Sequence, residues 1–261
     1  MTFNTDRRGA LIGLGGGLVL SGLTQSGTAN AATGPALEPA GAKGLQELTA
    51  ALAGMPRRRD YKTRPMIADN PDLWDAAPLN AVFAYKAGPK QAWDNTDLTG
   101  PWLNVMRNSL NSQIWGFKQP DFLCVSATHG QAHLALYDQE AWDKYQLAKM
   151  APANVTRNTF IATPPASAHD PADYQSMEGV FSPKNNSVTA LQRRGVVFMA
   201  CSNAIWELGA RLHAAGQNPE NLPVDGIAAE LANHLIPDVV LTPGVVATLV
   251  NLHQAGFAYA R

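Results

Sequence analysis

The chain lacks the residues and motifs that mark several large functional classes. It has two cysteines in 261 residues, and they lie too far apart in sequence to form a C-x-x-C redox pair. Its formal net charge of −1 gives no positive excess of the kind that binds nucleic acid or an anionic membrane. It has no nucleotide-binding glycine fingerprint and no serine-hydrolase elbow, because the glycine-rich stretch at residues 13–17 lies in an N-terminal leader.

The N-terminus has the pattern of an export signal. The twin arginines Arg7 and Arg8 precede an apolar stretch that runs to Leu23, and residues 29–31 (Ala-Asn-Ala) form a small-x-small cleavage site. The apolar stretch is too short and too rich in glycine for a membrane span of roughly 20 residues. We therefore predict a periplasmic protein, exported by the twin-arginine route, cleaved near Ala31 and not stably inserted in a membrane. An uncleaved N-terminal anchor is the alternative.

Residues 1–31 are thus a predicted signal, and the rest divides into two parts. Residues 32–75 are predicted to be an extension with one amphipathic helix at residues 44–55. Its short basic run, Arg57-Arg58-Arg59, is interpreted as a solvated face. Residues 76–261 are predicted to form one domain, interrupted by a proline-rich insertion at about residues 146–187.

Apolar segments alternate with helical patterns along the predicted domain. Strands are expected at residues 79–85, 121–127, 195–201, 238–242 and 257–259. Strands that are apolar throughout are typical of a parallel sheet with helices on both faces. This pattern predicts an α/β fold with a flavodoxin-like layout.

Cys201 is the residue best suited to nucleophilic chemistry. It ends the apolar run at residues 195–201, and a helix is expected to begin at Ser202 and Asn203, which are residues of the N-cap type. Backbone N–H groups and the dipole at a helix start stabilise an anion, which lowers the pKa of a thiol. The alternative is that Cys201 is a small buried apolar residue.

Cys124 is expected to lie in the middle of the second strand, whereas Cys201 is expected at the end of the third. Residues along a strand are about 3.3 Å apart, so the two thiols differ in level by several residues. A disulfide needs Cα atoms within about 7 Å. The sequence therefore predicts two free cysteines, with Cys124 in the core.

Sites in parallel α/β sheets form beyond the carboxyl ends of the strands. The segments expected on that edge are residues 85–86, 128–129, 201–202 and 242–243. His129 is thereby a candidate base or cationic neighbour for the thiol. The alternative is that His129 is a polar loop residue that caps the following helix.

A second use of His129 is metal binding. His129 and His133 are four residues apart, so on an α-helix they would share one face and could hold a metal ion. No glutamate lies between them, so the zinc-protease motif is absent. We predict no cofactor and no resident metal. A metal-dependent enzyme that uses His129 and His133 is kept as an alternative, the third of the three functional classes considered for this chain.

The last third of the chain has a distinctive order of features. Residues 191–203 (LQRRGVVFMACSN) combine a helix that ends in glycine, a strand, and a cysteine followed by a small polar pair. Residues 236–259 (IPDVVLTPGVVATLVNLHQAGFAY) add a Pro-Gly turn and a helix whose Gln-x-Gly-aromatic end leads into a final strand. With the strand before His129, these features resemble the DsrE-like family of sulfur-handling proteins over about residues 78–261.

The resemblance implies a parallel sheet of about five strands and an oligomer, often a trimer or hexamer. It also implies a cysteine that accepts sulfane sulfur as a persulfide, a position that Cys201 fills, with a protein or a small sulfur compound as donor or acceptor. The chain departs from the family's cytoplasmic sulfur-relay members in its export signal and long insertion. A non-catalytic periplasmic module that oligomerises or binds a small ligand is the second functional class.

Overall fold

The computed structural model describes residues 36–261, so the predicted export signal lies outside the described residues. One five-stranded sheet organises this range. Its strands are β1 (Lys90–Asn95), β2 (Leu123–Thr128), β3 (Val197–Cys201), β4 (Val240–Thr242) and β5 (Ala258–Ala260). They lie in the order β4-β3-β2-β1-β5, and each neighbouring pair is parallel, which confirms the predicted α/β fold.

Helices pack on both faces of this sheet. One face, called the α8 face below, is covered by α1 (Lys43–Gly54), α2 (Ala76–Ala84) and α8 (Val245–Gln254). The opposite face, called the α6 face, is covered by α3 (Trp102–Asn111), α4 (Gln139–Lys144), α5 (Val188–Gln192), α6 (Ser202–Ala214) and α7 (Val224–Asn233). This two-sided cover agrees with a flavodoxin-like layout.

Strand β3 shows why its sequence is apolar without interruption. Val197 and Met199 pack into the core of the α8 face. Phe198 and Ala200 pack into the core of the α6 face, where the rings of Phe198 and Trp102 are nearly perpendicular with centroids 6.2 Å apart. Successive side chains of a strand point to opposite faces, so a strand covered on both sides has no polar face.

One predicted strand is wrong. Residues 79–85 form most of α2 and its C-terminal cap instead of a strand. Leu79, Val82 and Tyr85 are buried at intervals of three residues, which is helical spacing. The first strand is β1, which escaped detection because its sequence, KQAWDN, is polar and only partly buried.

The other predicted elements are confirmed, with small shifts at their ends. Strands β2 to β5 lie within two residues of the predicted segments, α1 begins one residue before its predicted start, and α6 begins at Ser202 as predicted. The segment after β2 is an exception, because it begins as a 3-10 helix, Gly130–Leu136, before α4.

Residues 36–75 pack against the sheet and its helices. Leu45, Leu48 and Leu52 of α1 are buried in the core of the α8 face. Further along, the backbone N–H and C=O of Tyr61 both bond the side-chain amide of Asn233 in α7, each at 2.9 Å. The extension therefore crosses from the α8 face to α7 on the other side.

The basic run in this extension is not a uniformly solvated face. Arg58 is exposed as predicted, but Arg59 pairs with the buried Asp75 at 3.0 Å and also donates to Val239 O. Arg57 donates to the carbonyl groups at the end of α1. The prediction failed for Arg59 because its buried partner lies 16 residues away.

The insertion at residues 146–187 contains short 3-10 turns and no α-helix or strand. It forms a small separate core with the N-terminal extension, in which Ala168, Val180 and Phe181 pack with Leu37. Arg107 of α3 anchors the insertion by donating to Phe181 O at 2.9 Å. Within residues 36–261, every helix is too short or too polar to cross a membrane.

Candidate functional site

The carboxyl ends of the central strands meet at one edge of the sheet. The register pairs Thr128 with Ala200 and Cys201 with Thr242, so β2, β3 and β4 end at nearly the same level. His129, the next residue after β2, therefore lies beside Cys201 on the neighbouring strand. Three of the four segments predicted for this edge are thus found there.

The fourth predicted segment, residues 85–86, is not at this edge. Tyr85 caps α2, and its hydroxyl donates to Asp121 O at 2.6 Å, near the start of β2. The carboxyl end of β1 contributes Asp94 and Asn95 in its place. This correction follows directly from the misplaced first strand.

Cys201 is the last residue of β3 and is 5% exposed. Its sulfur lies on the α8 face, where the backbone N–H of Val245 donates to Sγ at 3.4 Å. Val245 is the first residue of α8, so the sulfur lies at the amino end of a ten-residue helix. The dipole and free N–H groups of that end favour a negative charge. Cys201 directly precedes α6, as the sequence predicts, and its sulfur also lies at the start of α8, which the sequence does not predict.

The two residues predicted to support an anion, Ser202 and Asn203, begin α6 directly after Cys201. The Ser202 hydroxyl does not cap the helix, because it donates to Thr242 O at 2.7 Å and accepts from Arg64 Nη2 at 2.8 Å. Asn203 is exposed, and its amide packs against the backbone of Gly244, just before α8. The Ser202 hydroxyl therefore links the start of α6 to the end of β4.

His129 lies at the same edge of the sheet as Cys201, but its ring bonds Asp94 of β1. Nε2 lies 2.7 Å from Asp94 Oδ1, and the hydroxyl of Tyr259 in β5 donates to Asp94 Oδ2 at 2.8 Å. The bond to Asp94 raises the pKa of Tyr259. The His129 side chain does not cap the following helix. The arrangement is a carboxylate that orients an imidazole, which suits a base.

His133 contacts Cys201 through the backbone, which the sequence did not suggest. The N–H of Cys201 donates to His133 Nε2 at 3.0 Å, and the ring is 2% exposed. Burial, helped by the charge of His129, lowers the pKa of His133 to about 3. His133 is therefore neutral at ordinary pH and acts as an acceptor at the junction of β3 and α6.

The expected shared face of His129 and His133 is not formed. His129 precedes a 3-10 helix and His133 lies within it, and residues four apart in a 3-10 helix do not share a face. Among residues 36–261, the potential metal ligands that do converge are Asp138, Glu140 and His234, within 4.8 Å of one another. That group lies outside the predicted pair.

Two further residues reach the Cys201–Ser202 junction from distant parts of the chain. Arg64, in the extension, is 2% exposed and donates through Nη2 to Leu73 O at 2.7 Å as well as to Ser202. Tyr137 is fully buried, and its ring centroid lies 5.2 Å from that of His133. Burial, with the charge of Cys201 as the next cause, raises the pKa of Tyr137.

Both cysteines are free, as predicted. Cys124 is the second residue of β2, nearer the start of the strand than predicted, and lies on the α6 face with 1% exposure. Burial raises the pKa of Cys124, and the charge of Arg194 opposes this only in part. Cys124 therefore remains a protonated core thiol.

A cavity of about 440 Å³ lies at the opposite edge of the sheet, where β3 begins. It is lined mainly by apolar groups of α1 and by residues 195–197. Arg57 and Glu38 lie on its wall, and none of its lining residues belongs to the Cys201 edge. The chemistry-bearing residues and this cavity thus lie at different ends of β3.

No protein-family model, curated protein or solved structure matches the chain. The α/β fold and the arrangement of His129, His133 and Cys201 accordingly rest on the structure itself. Membership of the DsrE-like family remains a prediction from the sequence.

Proposed function

We propose that the mature protein is an exported DsrE-like protein that handles sulfane sulfur, with Cys201 as the residue that carries it. The observation behind the proposal is the position of the Cys201 sulfur, at the carboxyl edge of the sheet and 3.4 Å from the first backbone nitrogen of α8. A helix amino end stabilises a thiolate, and the thiolate is the nucleophilic form of cysteine.

The transfer needs no external oxidant or reductant. The Cys201 thiolate attacks the outer sulfur of a donor persulfide, R–S–SH, forming a new S–S bond. The S–S bond of the donor breaks and R–S⁻ leaves with the electron pair, so Cys201 becomes Cys–S–SH. The same exchange, with an acceptor thiolate attacking the outer sulfur, passes the sulfur on and regenerates the Cys201 thiolate.

His129 is the base that removes the thiol proton or, when protonated, a cationic neighbour of the thiolate. Asp94 orients its ring through the 2.7 Å bond. Ser202 and Asn203 contribute backbone N–H groups at the amino end of α6. Because the chain has no C-x-x-C pair, the acceptor is a partner thiol or a small sulfur compound.

The proposal includes the location and assembly of the protein. The twin-arginine signal sends the chain to the periplasm, with cleavage near Ala31. Self-association into a trimer or hexamer follows from the resemblance to the DsrE-like family. Recovery of the protein from the periplasmic fraction with the mass of a chain cleaved near Ala31 tests the first statement. Size-exclusion chromatography with light scattering tests the second, and a monomer in that measurement contradicts it.

A second candidate function is favoured by the burial of Cys201. The side chain is 5% exposed and lies in the core of the α8 face beside Val245. A thiol needs access as well as ionisation in order to react. In this alternative the protein is a non-catalytic periplasmic module that oligomerises or binds a small ligand at the same edge.

The experiment that separates the two functions is intact-mass spectrometry after treatment with polysulfide. We expect the native protein to gain about 32 Da for each added sulfur atom, and to lose the gain on reduction. Cys201→Ala removes the gain, whereas the matched variant Cys124→Ala retains it. A gain that persists in Cys201→Ala, or its absence from the native protein, would refute sulfur carriage by Cys201.

A further inference from the structure

Three buried polar groups surround the junction of β3 and α6, and each has one atom without a hydrogen-bond partner in the described residues. These atoms are Nη1 of Arg64, Nδ1 of His133 and the hydroxyl of Tyr137. Each side chain is more than nine-tenths buried. His133 bonds the backbone N–H of Cys201, Arg64 bonds the Ser202 hydroxyl, and the ring of Tyr137 lies beside that of His133.

All three atoms are hydrogen-bond donors. The Nε2 atom of His133 accepts from the Cys201 N–H, so the single proton of its neutral ring is on Nδ1. Burial raises the pKa of Tyr137, which keeps its hydroxyl protonated. Arg64 Nη1 carries N–H groups that donate, and it cannot accept a hydrogen bond. Leaving a buried donor without an acceptor costs about 1–3 kcal/mol each, so three together indicate a missing acceptor.

The local charge favours an anion as that acceptor. Within residues 36–261 Arg64 makes no ion pair: its guanidinium donates to Leu73 O and to the Ser202 hydroxyl, and it lies over the Tyr61 ring, 4.4 Å from the centroid. The nearby Asp75 is already bonded by Arg59 at 3.0 Å and by the N–H of Leu241 at 2.7 Å. The thirteen-residue helix α6 adds the positive end of its dipole at the same point.

We infer that a small oxyanion, with the chemistry shared by sulfate, phosphate and thiosulfate, binds at the amino end of α6. Arg64, His133 and Tyr137 donate to its oxygen atoms. Tyr137 belongs to the core of the α6 face, whereas the Cys201 sulfur belongs to that of the α8 face. The inferred site does not use the Cys201 sulfur, so it stands or falls independently of the sulfur-transfer step.

Isothermal titration calorimetry tests the inference, with sodium sulfate, phosphate and thiosulfate titrated at constant ionic strength against a chloride control. The Cys201→Ala background keeps thiosulfate from reacting. Tyr137→Phe removes only a hydroxyl and should weaken binding about tenfold. Arg64→Gln removes the charge and should weaken it at least about 30-fold. Arg58→Gln, an exposed arginine of the same extension, should bind like the parent protein.

Binding of all three oxyanions supports a general oxyanion site, and binding of thiosulfate alone supports one selective for sulfur compounds. Absence of binding to all three overturns the inference, as does unchanged affinity in Tyr137→Phe. If Arg64→Gln does not fold, Tyr137→Phe decides alone. In a site without an anion, loss of an unpartnered buried hydroxyl leaves the protein as stable or more stable and changes no affinity.

Discussion

Cys124, the second residue of β2, and Cys201, the last residue of β3, have surroundings that differ more than their burial suggests. Cys124 is 1% exposed and Cys201 is 5% exposed, so both count as core residues. Cys124 has apolar neighbours, and burial raises its pKa. Cys201 receives a backbone N–H at Sγ and has an imidazole on its own N–H.

The difference follows from position along the strand. Within a central parallel strand the backbone N–H groups are used by the neighbouring strands, so none is free to bond a side chain. At the carboxyl end the chain turns into a helix, and the first N–H groups of that helix and of its neighbours lack backbone partners. The position of a cysteine along its strand therefore determines which backbone N–H groups surround its thiol.

The largest expected effect is the difference in alkylation rate between the two thiols. Cys124 can react only when the centre of the sheet opens, whereas Cys201 needs local movement at the start of α8. A difference of about 4 kcal/mol in opening free energy corresponds to roughly 1,000-fold in rate. Peptide mass spectrometry after timed iodoacetamide treatment measures it, and unfolding in guanidinium should make the rates equal. Equal rates in the folded protein would remove the distinction.

The next effect concerns the base. His129→Gln should slow persulfide formation on Cys201 about 100-fold at neutral pH, since a positioned base contributes about 10²–10⁴ in rate. His253→Gln, an exposed histidine near the end of α8, is the control and should leave the rate unchanged. Rates are followed by quenched alkylation and intact mass. A change below twofold in His129→Gln would leave His129 as a structural partner of Asp94.

Much of this fold is predictable from the sequence, and the reason is local. Strands β2, β3 and β4 are short apolar runs bounded by turns, and the junction at Cys201 and Ser202 is visible because the apolar run stops there. The first strand was missed because β1 carries few apolar residues. The helix α2 was mistaken for a strand because a nearly continuous apolar run does not reveal its period.

The candidate site was only partly predictable. Cys201 and His129 are predictable because one ends an apolar strand and the other follows one. The sequence points to His133 only as a metal-binding partner of His129, and Arg64 and Tyr137 carry no motif. Arg64 reaches Ser202 across 138 positions of the chain. No periodic pattern encodes such a contact, since it depends on where the extension crosses the sheet edge.

The buried histidine beside Cys201, which has no counterpart at Cys124, should make stability depend on pH. The folded-state pKa of His133 is about 3, against 6.5 for the free group, so below pH 6.5 the unfolded chain binds more protons. The part of the free energy of unfolding that depends on neutral His133 is therefore fully present above pH 6.5 and is lost as the pH falls towards 3. From pH 7 to pH 5 the loss is about 2 kcal/mol.

Urea denaturation of the wild type and of His133→Gln at pH 7, 6 and 5 measures this loss. The stability advantage of the wild type should shrink by about 2 kcal/mol between pH 7 and pH 5, because glutamine does not titrate. His234, whose pKa is raised chiefly by its bond to Asp138, has the opposite dependence and is present in both proteins. A constant difference would show that His133 is not held neutral by the fold.

The smallest expected effect isolates the single hydrogen bond that Cys201 has and Cys124 lacks. Val245→Pro deletes the N–H that donates to Sγ, and proline suits the first position of a helix. The preceding Gly244 is already extended, at φ −175° and ψ 117°, as a residue before proline requires. Loss of one hydrogen bond to a thiolate should slow alkylation of Cys201 about tenfold.

The exposed neighbour Val246 supplies the control, because Val246→Ala keeps every backbone N–H. Rates are compared at one pH with the labelling used for the two thiols, together with a circular dichroism spectrum to verify that α8 is intact. If Val245→Pro folds and Cys201 reacts at the rate of the wild type, the start of α8 does not stabilise the thiolate. The distinction between the thiols would then rest on accessibility alone, and the second candidate function would gain support.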